Sequence, residues 1–226
     1  KPIGGTVAET RRILDFAKRH QAPIMSSSLY RHQWGTEEAL RMKASGEFSA
    51  KPGEMAVLHQ PQGLKAKRLV ALGGGKKDKF DAAALRKSVG SLTRALKQKG
   101  VKRLALLLAD GSAPSLAEAA VEGAILGNYE PDMNKPSSDA KPLASFDVVT
   151  SAKTAELEQA VARGVILAEA QNFTRDLANE PANRMTPTVL ARRAQEMAKT
   201  YGLGIEVLDR DRMQQLGMGS LLGVAQ

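Results

Sequence analysis

The sequence contains no cysteine, and its three histidines, His20, His32 and His59, stand far apart. Disulfides and thiolate metal sites are excluded on that ground, and a zinc finger with them. Aromatic residues make up only 4% of the chain, so its basic stretches lack rings on which nucleic-acid bases would stack. No apolar run approaches the ~18 residues of a membrane span, and the N-terminus shows no charged, apolar and small-residue signal pattern. The expectation is a cytoplasmic protein that does not enter a membrane.

What is present suits a folded chain. Of 226 residues, 42% are hydrophobic and 25% charged, enough length and apolar content for one large domain or two small ones. The net charge of +9 is unevenly placed: residues 1–100 hold 20 Lys/Arg against 8 Asp/Glu, whereas residues 101–226 hold 13 against 16. A basic half can attract nucleic acid, because each neutralised phosphate releases counterions. In "LRKSVGSLTRALKQKGVKR", however, the cations recur at helical spacing, which reads as a solvated helix face.

Helix and strand signals alternate. "TVAETRRILDFAKRH" opens with Thr6 and Glu9 in capping-box spacing, and Pro23 closes it. "PIMSSSL" and "EMAVLHQ" read as strands, with "TEEALRMKASGE" as a short helix ending at Gly46. "AKRLVALGGG", a helix over 82–99 capped by Asp81, and "VKRLALLLA" form a β-α-β unit. A helix over "PSLAEAAVEGAILGNYE", a polar Pro-rich loop and the strand "LASFDVVT" come next. From Thr154 to about Asn179 a long helix places Leu157, Val161, Val165, Ala168 and Asn172 on one stripe, and Pro181 ends it. A helix near 187–200, a strand "GIEVLD" and a short helix "RDRMQQLG" complete the chain, which shows no internal repeat. The expected class is α/β: a mixed sheet flanked by helices, a long interdomain helix, then the incomplete start of a second α/β domain.

No catalytic, cofactor-binding or metal-binding residue emerges from this pattern. "LGGGKK" at 72–77 lies where a strand meets a helix, a place where amides can hold phosphate. It fails the P-loop pattern, which wants Gly at 70 and Ser or Thr at 77, where Val70 and Lys77 stand; the dinucleotide fingerprint wants Gly at 78, where Asp78 stands. A tight turn is expected instead. "GMGSLLG" misses the same fingerprint at Leu222. The acidic pairs Glu37/Glu38, Glu156/Glu158 and Asp209/Asp211 have no histidine or third carboxylate at helical spacing to complete a metal-ligand face. Ser26–Ser28 lacks a nucleophile elbow, His59 reads as core or rim, and Trp34 and the methionines as packing.

The stretch "NFTRDLANEPANRMTPTVLARRAQEMAKTYGLGIEVLDRDRMQQLGMGSLLGVAQ", 172–226, resembles the entry into the catalytic domain of the leucyl aminopeptidase (cytosol aminopeptidase) family. Upstream, "SGEFSAKPGEMAVLHQPQGLKAKRLVALGGGKKDKFDAAALRKSVGSLTRALKQKGVKRLALLL" resembles that family's smaller N-terminal domain, so the likeness covers about 45–226. Physically, Pro181 forces Glu180 out of helical geometry, and Thr186-Pro187 supplies an N-cap with proline at N1 for the next helix. The resemblance implies release of N-terminal residues from peptides by two divalent metals, zinc or manganese, that activate water and polarise the carbonyl. It also implies a homo-hexamer with peptide substrates. The family's ligand motifs, resembling "vGKGitFDtGG" and "NtDAEGR", do not occur in residues 1–226, so no catalytic residue can be carried over. The chain is expected to be a fragment, inactive alone, that stops just before those motifs.

Residues 1–48 resemble a different family, the Gfo/Idh/MocA-type oxidoreductases after their "EKP" strand: Lys1-Pro2, a capped helix, a "P-M----YR" strand and an "ALR---SGEF" helix. The expected organisation is therefore an atypical segment 1–47, an N-terminal α/β domain 48–150, an interdomain helix 151–180, and the start of a catalytic domain 181–226. Alternatives to the aminopeptidase reading are a non-catalytic nucleic-acid-binding or assembly module and an oxidoreductase-derived fusion remnant. If 172–226 opens a larger domain, "GIEVLD" lacks sheet neighbours and should promote aggregation.

Overall fold

A computed structural model describes residues 24–27, 42–61, 66–108, 112–131, 142–150 and 154–224. The helix expected over 6–20, together with Trp34, His20, His32, Glu37 and Glu38, lies outside the described residues. The chain divides into two compact units, Lys1–Thr174 and Arg175–Gln226.

The first unit is a mixed α/β domain. Its sheet contains β1 (Ile24–Ser27), β2 (Met55–His59), β3 (Arg68–Leu72), β4 (Arg103–Leu107) and β5 (Ser145–Val149) in the order β2-β3-β1-β4-β5. Only β2 runs antiparallel, as a hairpin partner of β3. β1 is the central strand: Met25 registers with Val70 on one side and Leu106 on the other. The two strands joined by the helix after Asp81 are thus parallel but not adjacent, because β1, earlier in the chain, slots between them. Residues 24–27 supply the middle of this sheet.

β3 and β4 read as near-continuous apolar runs because both of their faces are buried, as strands inside a parallel sheet must be. Val70, Leu72, Leu104 and Leu106 enter the main core, whereas Leu69 and Leu107 turn to the opposite face. On the main-core side lie α1 (Ala82–Gln98) and α2 (Pro114–Asn128). α1 starts where expected because the Ala84 N–H donates to Asp81 Oδ1 at 2.7 Å. Its apolar residues Leu85, Val89, Leu92 and Leu96 recur at helical spacing and are all buried.

The two helices meet backbone to backbone. A Cβ at Gly123 would lie 2.4 Å from the Arg86 carbonyl oxygen, and one at Gly127 2.4 Å from that of Gly90. Only glycine permits this approach. α3 (Ala155–Asn179) comes as close at Gly164, where a Cβ would lie 2.7 Å from the Glu118 carbonyl oxygen, and Arg163 pairs with the Glu118 carboxylate at 3.0 Å. The stripe expected on α3 is present, with Leu157 and Val161 packed on the core. Its fully buried positions are the small residues Ala160, Gly164 and Ala168.

One lysine departs from the solvated face read from the sequence. Lys97, 4% exposed, points its ammonium inward to donate to the Asn128 carbonyl at 3.0 Å and pairs with Glu130 at 2.7 Å. It neutralises the carbonyl end of α2, where the helix dipole favours a cation. Lys97→Met should retain the hydrocarbon stem, remove the donor and destabilise the first unit by about 2 kcal/mol. A urea midpoint lowered at unchanged slope would register that loss.

In the second unit, Thr186 caps α4 (Pro187–Tyr201) by accepting from the Val189 N–H, and Gly202 ends it in the left-handed region at φ 65°. α5 (Arg210–Gln215) and α6 (Gly219–Val224) complete the unit. The strand expected over "GIEVLD" does not form: residues 203–209 join no ladder among the described residues. A strand exists only through a paired neighbour, and none is in place. α6 is a helix that the sequence does not announce, because its two glycines, Gly219 and Gly223, lower helix propensity.

Candidate functional site

The glycine turn after β3 is the one place where the sequence could have cradled a phosphate. Two of its amides, those of Gly73 and Gly75, are already used. Gly73 N–H donates to the Glu54 carbonyl at 2.8 Å, Gly75 N–H to the Ala50 carbonyl at 2.9 Å, and Gly53 N–H returns to the Gly73 carbonyl at 2.9 Å. The segment 50–54 lies so close that a Cβ at Gly73 would overlap the Lys51 carbonyl, and one at Gly75, φ 74°, would lie 2.7 Å from Pro52 Cγ. The turn is a backbone clasp between two loops. The adjoining helix end carries the Asp81 cap, whose carboxylate already accepts from the Ala84 N–H.

Glu54 holds the other side of this clasp. Its carboxylate accepts from the Ser49 N–H at 3.0 Å, the Ser49 hydroxyl at 2.8 Å and the Lys51 N–H at 2.9 Å. These bonds favour the charged form, the Ser49 amide most, and hold the carboxyl below the usual Glu range. Nothing in the sequence singles Glu54 out, because two of its three partners are backbone amides that any residue would provide. A lowered folded-state pKa contributes stability above the unfolded value, near ~4.3, that is lost as pH falls through the folded value. Glu54→Gln is therefore expected to lower the denaturation midpoint at neutral pH and to leave it unchanged at strongly acidic pH. Equal loss at both pH values would contradict the assignment.

The remaining candidates scatter. His59 ends β2 on the exposed rim, and Glu156 and Glu158 sit in the first turn of α3. Asp209 is the N-cap of α5, accepting from the Arg212 N–H at 2.8 Å, a role more local than a metal ligand. Ser26 and Ser27 lie in the central strand, and Ser28 lies outside the described residues. Among the described residues no three of His, Asp or Glu stand together as a metal group. No group among the described residues fits the two-metal centre that the resemblance implies.

At the junction, the Arg184 and Met185 amides both donate to the Pro181 carbonyl, at 2.8 and 2.9 Å, folding 181–185 into a turn. Arg193 of α4 approaches Glu180 at 3.9 Å, and the inner Glu180 oxygen, Oε2, is buried with no hydrogen-bond donor. The proline, the Thr186 cap and this ion pair set the angle between the end of α3 and α4.

Comparison with known proteins places these features. The N-terminal domain model of the cytosol aminopeptidase family matches residues 32–138, and the catalytic domain model of the same family matches residues 172–226. A probable cytosol aminopeptidase of Solibacter usitatus is 48% identical over 226 residues, all of this chain and 44% of that protein. One from Koribacter versatilis is 38% identical over 205 residues, covering 81% of this chain and 40% of the relative. The chain thus spans less than half the length of the curated relatives it matches. Among solved structures, the bottromycin maturation enzyme BotP is 30% identical with a TM-score of 0.68, covering 87% of this chain and 41% of its own. A mutant tomato leucine aminopeptidase, at 21% identity and a TM-score of 0.72, covers 87% of this chain and 44% of its own, and shows the fold. None of these findings shows the oxidoreductase resemblance of residues 1–48; the Solibacter relative covers that stretch too. With both domain models of one family matched in order, at 32–138 and 172–226, and a relative 48% identical over the whole chain, the chain belongs to the cytosol aminopeptidase family.

Proposed function

We propose that this chain supplies the N-terminal α/β domain, the joining helix over 151–180 and the opening of the catalytic domain, from 181, of a metal-dependent aminopeptidase. The activity would be release of N-terminal amino acids from peptides. The observation that carries this reading is the match of both family domain models in their order on one chain, at 32–138 and 172–226. Two divalent metals, zinc or manganese, would supply the chemistry, as they do in the family that the chain resembles. One solved relative is described as BotP in complex with Mn, which makes manganese the first metal to try. A cytoplasmic homo-hexamer is the assembly that accompanies this reading. The nucleic-acid module and the oxidoreductase remnant are not favoured, because the matched relatives are named as aminopeptidases.

The test pairs the 226-residue chain with the native product of its locus. The native product is expected to exceed twice 24.2 kDa and to hydrolyse a leucine-peptide substrate when supplied with manganese; the 226-residue chain should not. A native product of 24.2 kDa without manganese-dependent hydrolysis would overturn the reading.

A further inference from the structure

We draw no further inference here: the strongest candidate, the patch of cations Lys67, Arg68, Lys99, Lys102 and Arg103 at the edge of the sheet where β3 and β4 begin and α1 ends, carries nothing, because nothing in the structure shows what covers it in a chain that spans less than half the length of its relatives.

Discussion

Met25→Pro is expected to unfold the first unit. Met25 lies in the strand that pairs with β3 on one side and β4 on the other, so its backbone stands where a proline is least tolerated. Proline removes a ladder donor, which confines it to edge strands, strand starts and bulges. Small domains hold only ~5–15 kcal/mol in total. The second consequence is larger than the lost bond, because β3 and β4 meet in this sheet only through β1. Thermal unfolding followed by circular dichroism should show a large fall in midpoint or no cooperative transition. A variant that melts like the parent would mean that 24–27 is dispensable to the sheet.

Gly127→Val should be nearly as severe, for a reason that lies between helices. The added Cβ would fall 2.4 Å from the Gly90 carbonyl oxygen, a backbone atom that cannot rotate away as a side-chain tip would. α1 and α2 must separate, which uncovers part of the core shared by Leu92, Leu96, Ala120 and Ala124. Overpacking of this kind destabilises by about 3 kcal/mol. Gly90→Ala, whose Cβ would meet the Gly123 carbonyl oxygen at 3.2 Å, should lose about 1 kcal/mol, since a shift of a few tenths of an ångström relieves it. Denaturant midpoints falling in that order would establish backbone contact between the helices; midpoints that rise, the direction helix propensity alone predicts when glycine is replaced, would contradict it.

Local chemistry was legible in the sequence wherever a few neighbouring residues decide it. Asp81 announces α1 and Thr186-Pro187 announces α4 because caps act within a single turn. The apolar runs of β3 and β4 announce buried strands because burial on both faces removes the polar alternation. The family was legible in the junction around Pro181, where a specific run of residues redirects the chain. Features decided by distant partners were not legible. Lys97 carries the same helical spacing as its solvated neighbours, and only the end of α2 draws it inward. Gly123 and Gly127 read as ordinary helix residues until α1 lies across them. The central place of β1 is a matter of sheet order, which hydrophobic pattern does not encode. Residues 203–208 show a strand's alternation without a strand's partner, so pattern and structure diverge there. The candidate site divides in the same way: the phosphate patterns could be rejected from spacing, but the reason the glycines are there, closure against residues 50–54, required the fold.

Residues 24–27 form the middle of the five-stranded sheet of the first unit. Native-state hydrogen exchange of the Met25, Ser26 and Ser27 amides tests this most directly, read beside the amides of Val70 and Leu106. Amides of β1 bonded in the ladder are expected to exchange only through the same global opening as those of β3 and β4, with equal free energies. Exchange of all three at rates of an exposed peptide, while Val70 and Leu106 stay protected, would contradict it.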